Sequence, residues 1–238
     1  MCIFFLFRIC FKKEEQEKTT RENFNSNPQQ AKLMSGTSVK EPFGKFIKNN
    51  IKNRSLIITC GLPGSWKSKI AWKISTIKSY PILKSDMIRL EVLNKEDIFD
   101  SKIAGNMDKR LAVYKEVFRR ADELAKKENG IILDATFVTQ DLRRQAAEIA
   151  ARNNMSFVII QTKCPEEVSI ALINRRTKEK YESNALTVDA YYVNKKNFEA
   201  IDIDELKKLN SEMEILYAVV EPWHDDKEEW FVTFVDKR

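Results

Sequence analysis

Histidine is nearly missing from this chain: His224 is the sole example in 238 residues. A catalytic triad or a zinc site built on imidazoles therefore lacks its residues. Cysteine is little better represented. Cys2, Cys10, Cys60 and Cys164 are the only four, at spacings that fit neither zinc ligation nor a dense disulfide framework. A reducing, cytoplasmic compartment is the simpler expectation, with Cys60 and Cys164 as small buried residues behind apolar runs. Long hydrophobic runs are lacking too. Residues 1–11 are the most apolar stretch, about half of the ~20 residues that a bilayer-spanning helix needs, so no integral membrane segment is expected. The basic Lys12 and Lys13 follow that stretch, whereas a secretory signal carries its charge first and a small-residue cleavage site afterwards. Residues 1–11 read either as a weak peripheral anchor or as a misassigned start, with Met34 an alternative initiator that would leave residues 1–33 outside the native protein.

Net charge is also missing from most of the chain. The formal total is +6, yet residues 1–54 hold 11 Lys and Arg against 5 Asp and Glu, while residues 55–238 hold 30 of each. A nucleic-acid partner is therefore weakly supported, all the more because no stretch is expected to interleave aromatic and basic side chains as a stacking platform does. Residues 1–50 are expected as a disordered or weakly ordered leader, with one folded domain over residues 51–238.

What the chain does contain is a strand, a glycine turn and a helix in succession. Leu56 to Cys60 is an apolar run, Gly61, Pro63 and Gly64 fall within four residues, and Ile70, Ala71, Ile74 and Ile77 then recur at helical spacing. Amides of such a loop and the positive end of the following helix make a concave anion site. Gly61, Leu62, Pro63, Gly64, Ser65, Trp66, Lys67 and Ser68 form the expected nucleotide cradle. Lys67 stands where a lysine reaches the outer phosphates, and Ser68 where a hydroxyl is held by magnesium. Trp66 departs from G-x-x-x-x-G-K-[ST] at its second glycine, so the indole either crowds the phosphate or is turned away by a shifted loop. An ordinary strand-to-helix turn would leave the Gly-Leu-Pro-Gly-Ser and Lys-Ser pairing unexplained.

Further motifs close further strands. Residues 80–85 read as a short strand leading to Asp86 and, three residues on, Arg89, which share a face if a helix begins there. Residues 107–128 read as a long amphipathic helix with Gly130 available to stop it. Residues 131–134 form an apolar strand ending in Asp134, placed to hold a magnesium shell. A helix from 140 to 153 carries Arg143 and Arg144, and a strand covers 155–161. A helix starting near Pro165 ends in Arg175 and Arg176, a polar segment runs over 178–183, and a helix begins at Thr187. This is the build of a lid over about 165–200. Residues 202–212 read as a short helix or loop, residues 218–222 as an extended segment, and residues 229–235 as a fifth strand.

Gly61-Leu-Pro-Gly-Ser-x-Lys-Ser68, Lys84-Ser-Asp-x-x-Arg89, Ile132-Leu-Asp-Ala-Thr-Phe137 and Ala171-Leu-Ile-Asn-Arg-Arg176 together resemble the AAA-type phosphate-loop kinases grouped with the 5′-end polynucleotide kinase domain and the zeta-toxin-like kinases. The resemblance implies an α/β P-loop NTPase fold: a five-stranded parallel sheet in the order 2-3-1-4-5, helices on both faces, and a helical lid. It implies ATP and Mg²⁺ as cofactors. Lys67 would contact the β and γ phosphates, Ser68 and Asp134 would serve the metal, and Asp86 would be the base toward the acceptor hydroxyl. Arg89 would hold the acceptor's phosphate or the transferring group, Arg175 or Arg176 would stabilise the transferred phosphoryl, and Arg143 resembles an acceptor-side arginine. The function so implied is γ-phosphoryl transfer from ATP to a hydroxyl of a small molecule or a nucleic-acid 5′ end. The alternative, raised by Trp66, is a degenerate member that binds a nucleotide or a partner without catalysis.

Overall fold

The computed structural model describes residues 36–94, 96–98, 103, 106–177, 183, 185–222 and 230–238. Among these, the strands are β1 (Thr37–Pro42), β2 (Ser55–Cys60), β3 (Ile82–Lys84), β4 (Gly130–Asp134), β5 (Ser156–Thr162), β6 (Ile215–Glu221) and β7 (Phe231–Lys237). The helices are α1 (Phe43–Asn50), α2 (Lys67–Lys78), α3 (Ser85–Val92), α4 (Met107–Ala125), α5 (Gln140–Arg152), α6 (Glu166–Asn174), α7 (Val188–Lys196) and α8 (Ile203–Lys207).

All strands join one sheet in the order β1-β7-β6-β5-β2-β4-β3. β2 lies at its centre, parallel to β4 on one side and to β5 on the other. Every residue of β2 is buried, which explains its unbroken apolar run: a central parallel strand is covered on both faces. The pleat divides its side chains between two cores. Leu56, Ile58 and Cys60 pack with Val117 and Ala121 of α4 and Ala146 and Ala150 of α5. Ile57 faces the other way, toward Ile70 and Ile74 of α2 and Phe43 and Phe46 of α1. Helices thus cover both faces, and the sheet's carboxyl edge is left for loops.

Several helix starts follow from local chemistry. The side chains of Asn106, Thr139, Thr187 and Asp202 accept from amides in the first turns of α4, α5, α7 and α8, satisfying donors that a helix leaves orphaned.

Four expectations are corrected. The sheet has seven strands and is mixed, not a five-stranded parallel one. Its parallel portion, β3-β4-β2-β5-β6, does keep the order 2-3-1-4-5. The fifth parallel strand is β6, whereas the segment at 229–235 contributes β7, antiparallel to β6. Residues 37–50 are not leader: β1 pairs antiparallel with β7, and Phe43, Phe46 and Ile47 of α1 are buried. Finally, Gly130 does not stop a helix. It opens β4, where a Cβ would lie 2.2 Å from the Tyr80 ring. His224 and residues 178–182 fall outside the described residues. Among the described residues no helix is long and apolar enough to cross a membrane.

Candidate active site

The cradle is built by two glycines that no other residue could replace cheaply. Gly61 has φ 143°, and a Cβ there would sit 2.5 Å from Thr162 Oγ1; Gly64 has φ 77° and backs onto the Ser169 carbonyl, 2.4 Å from the same hypothetical atom. The loop is therefore pressed against the end of β5 and the start of α6. Ser65 fastens it further, its hydroxyl lying 2.7 Å from the Leu62 carbonyl and 2.6 Å from Thr162 Oγ1.

Trp66 adopts the left-handed conformation of a glycine, φ 66° and ψ 15°, at the N-cap of α2, and its carbonyl accepts from the Lys69 and Ile70 amides. For an L-residue this conformation costs about 1–2 kcal/mol. The indole lines the cleft, with Lys69 Nζ stacked 3.9 Å from its ring centre. Its buried Nε1 has no hydrogen-bond partner among the described residues.

Lys67 follows at the first position of α2. Its ammonium donates to the Leu62 carbonyl at 2.7 Å, folding the side chain over the loop. Burial lowers its pKa to about 8; nearby Asp134 and Asp86 oppose that change, and Arg176 adds to it. These four groups come from the start of α2, the end of β4, the start of α3 and the segment after α6. Asp134 closes β4, is 5% exposed, and accepts from Thr59 Oγ1 at 2.9 Å. Asp86 lies in the first turn of α3, and burial together with the Asp134 charge pushes its carboxyl up. A hydrogen bond with Ser183 and the charges of Lys84 and Arg89 work the other way. Two carboxylates lining one cleft, one of them raised by burial and by the charge of the other, suit a divalent cation. With the Ser68 hydroxyl at the helix start, the donor set is all oxygen, as magnesium prefers. No group of three or more His, Cys, Asp or Glu that could hold a metal gathers among the described residues.

The structure separates the paired arginines. Arg176 lines the cleft and its Nη1 donates to the Ala185 carbonyl at 2.8 Å, whereas Arg175 caps α6 and is exposed to solvent away from the cleft. Arg89 is 9% exposed and lines the cleft beside Asp86. Arg143 is not an acceptor-side group. It is fully buried, and its guanidinium is spent on the carbonyls of Phe137, Val138, Glu199 and Ala200 and the Gln140 side chain. Of the cradle residues, Pro63 to Ser68 line the cleft, while Gly61 and Leu62 lie behind it.

The cleft, about 1510 Å³, also contains groups that sequence motifs do not single out: Arg110 and Tyr114 of α4, Asn194 of α7, and Trp72, Lys73 and Trp230. Lys73 Nζ lies 4.8 Å from the Trp230 ring centre. Aromatic and basic side chains do therefore interleave, at Trp66, Lys69, Trp72 and Lys73, contrary to the expectation that none would. The helical spacing of those four residues in Trp66-Lys-Ser-Lys-Ile-Ala-Trp-Lys73 is the signal that would have revealed them.

Among solved structures, a gluconokinase from Sinorhizobium meliloti 1021 is 17% identical, with a TM-score of 0.46 over 72% of this chain and 84% of that one. A structure from the PezAT chromosomal toxin-antitoxin system of Streptococcus pneumoniae is 12% identical, with a TM-score of 0.48 over 74% and 73%. Shikimate kinase from Acinetobacter baumannii is 11% identical, with a TM-score of 0.44 over 76% and 89%. No curated protein matches the sequence. A family model described as an AAA domain matches residues 56–201, a span that runs from β2 through the cradle, Asp86, Asp134 and Arg176 to the end of α7 and beyond. The chain belongs to the AAA domain family.

Proposed function

We propose that the protein is an ATP-dependent kinase that transfers the γ-phosphoryl group to a hydroxyl of a small molecule or a nucleic-acid 5′ end. One observation carries this reading: Lys67, Asp86, Asp134 and Arg176, delivered by four separate segments, line one cleft at the mouth of a glycine-built anion cradle. Phosphoryl transfer asks a protein mainly to position groups and to neutralise charge, and this set supplies both. Lys67 leaves the Leu62 carbonyl to pair with the β and γ phosphates. Ser68 and Asp134 would hold Mg²⁺, which supplies charge neutralisation when bound. Asp86, its proton affinity raised by burial, accepts the proton of the acceptor hydroxyl. Arg89 orients the acceptor or the transferring group beside it. Arg176 meets the charge that develops on the phosphoryl group, a role worth roughly a thousandfold in rate. The segment 165–200, which carries Arg176 and α7, closes as the lid.

A second reading has its own observation, the indole of Trp66 standing in the cleft. On that reading the cradle holds a nucleotide or a partner and transfers nothing. One assay separates the two. Purified protein is titrated with ATP and magnesium, and turnover is then followed with γ-labelled ATP and an acceptor panel. The kinase reading expects saturable binding and transfer, with turnover at least a hundredfold lower in both Lys67→Ala and Asp86→Ala; full activity in either variant removes the role assigned to it. Binding without transfer favours the second reading, and Trp66→Gly then tightens the complex. Absence of ATP and GTP binding at millimolar concentration ends the kinase reading and leaves only a cradle that holds a partner.

A further inference from the structure

The cleft's charges are unevenly assigned by the kinase reading, on which the following inference rests. Among the described residues, seven Lys and Arg side chains line it against Asp86, Asp134 and Asp189. Lys67, Lys69, Lys73 and Arg176 lie on the cradle, on α2 and after α6, where a nucleotide's phosphates account for positive charge. Lys84, Arg89 and Arg110 lie on the opposite wall, made by the end of β3, α3 and α4, with Asp86 among them. Among the described residues Asp86 is the one carboxylate that lines that wall, so an anionic group on the acceptor would meet positive charge there.

Arg110 is the one whose surroundings are most telling. It projects from the start of α4, and its Nη2 donates to Thr136 Oγ1 at 3.2 Å and to Asn194 Oδ1 at 2.9 Å. One turn on, the Tyr114 hydroxyl lies 3.4 Å from the same Thr136 oxygen and accepts from the Phe137 amide at 3.2 Å. This fixes the loop after Asp134 against α4. Both acceptors of Arg110 are neutral, so its charge is held in place without being cancelled. Nε and Nη1 make no hydrogen bond with another described residue, although the side chain is only half exposed. A guanidinium clamped by neutral acceptors, with donors left over, is a prepared partner for an anionic oxygen.

We infer that Arg110 binds an anionic group on the acceptor, so that the substrate is a hydroxyl compound carrying a phosphate ester or a carboxylate rather than a neutral alcohol. Asp86 takes the hydroxyl, and Arg110, on the same wall, takes the anion. Specificity then comes from the distance between the two groups on the acceptor, because a compound lacking the anion leaves Arg110 unpaired.

The test uses the full-length protein with Lys67→Ala, which weakens the competing phosphate site in the cradle, titrated with inorganic phosphate and separately with acetate. Adding Arg110→Gln is expected to weaken phosphate binding at least tenfold. With Lys67 intact, Arg110→Gln is expected to change ATP affinity less than twofold. Asn194→Ala removes the same tie between α4 and α7 without removing charge, and is expected to leave phosphate binding within twofold; a merely structural Arg110 would make both variants lose it. Should Arg110→Gln unfold, Arg110→Lys keeps the charge and is expected to retain binding within about fivefold. Saturation by phosphate alone assigns a phosphate ester, and saturation by both ions admits a carboxylate. Phosphate affinity that ignores Arg110→Gln, no saturable anion site in the Lys67→Ala protein, or a parallel loss of ATP affinity overturns the inference. Failure of the parent protein to bind ATP sinks the kinase reading instead, and the phosphate titration still judges Arg110.

Discussion

Lys67 and Asp86 are shifted toward one another, the lysine downward and the carboxyl upward, and on the kinase reading this bounds the pH range of activity. Burial lowers the Lys67 pKa to about 8 from its ordinary 10.5, so its charge, and with it the attraction for phosphate, fades as pH rises through 8. Burial and the Asp134 charge raise the proton affinity of Asp86, so the base is lost as pH falls through a pKa above the usual aspartate range. The expected kcat/KM profile has an alkaline limb near pH 8 and an acid limb above the range of a free aspartate; an acid limb at or below the free-aspartate range would remove Asp86 as the base. Stability moves in the corresponding direction. A lysine whose folded pKa is lowered binds its proton more tightly when unfolded, so it opposes folding below pH 8, and that opposition disappears as pH rises from about 8 to 10.5. Lys67→Met should therefore stabilise the fold at pH 7 by about 1–2 kcal/mol, allowing for the side chain's partial exposure. The gain should vanish in thermal melts near pH 10.5.

At the scale of single elements, the parts that were legible in sequence are those whose signal is local. β2 shows as an apolar run because both its faces are covered, and α2 shows through Ile70, Ala71 and Ile74 because they meet that sheet every turn. Asp86, Asp134 and Arg176 could be read as closing residues of such elements. Arg143 could not, since nothing near it in the chain distinguishes a solvated arginine from a buried one. Its partners are loop carbonyls: Phe137 and Val138 before α5, and Glu199 and Ala200 after α7, at 2.8–3.0 Å. Its guanidinium also lies 5.1 Å from the Phe198 ring centre. The residue therefore ties the loop behind Asp134 to the segment that follows α7. Arg143→Ala strands several buried carbonyls and is expected to lose about 3 kcal/mol or more. The urea midpoint should fall while the m-value stays near that of the parent; a loss below 1 kcal/mol would mean that water replaces the guanidinium easily.

For the molecule as a whole, the largest miss was the segment from 37 to 50, and the reason is distance along the chain. Thr-Ser-Val-Lys-Glu-Pro has no apolar alternation and looks like leader, because β1 is an edge strand with mostly exposed or half-buried side chains. Its partner β7 lies nearly two hundred residues away, and no local pattern announces such a pairing. Yet this segment completes the second core: Phe43, Phe46 and Ile47 pack with Ile57, Ile132 and Val158 of the central strands. It also reaches the cleft. The Phe43 amide donates to the Trp230 carbonyl at 2.7 Å, and the two rings lie 6.4 Å apart, while Trp230 in turn sits under Lys73 of α2. A chain beginning at Ile51 would thus expose the apolar face of the sheet, leave the β7 edge unpaired and loosen one wall of the site at once. Phe46→Ala in the full chain isolates the packing part and is expected to lose about 3–5 kcal/mol. The shortened chain should lose more than that, aggregate through its open edge, and show no cooperative unfolding transition. A chain of residues 51–238 that stayed monomeric and melted cooperatively near the temperature of the full-length protein would show that β1 and α1 decorate the sheet instead of completing it.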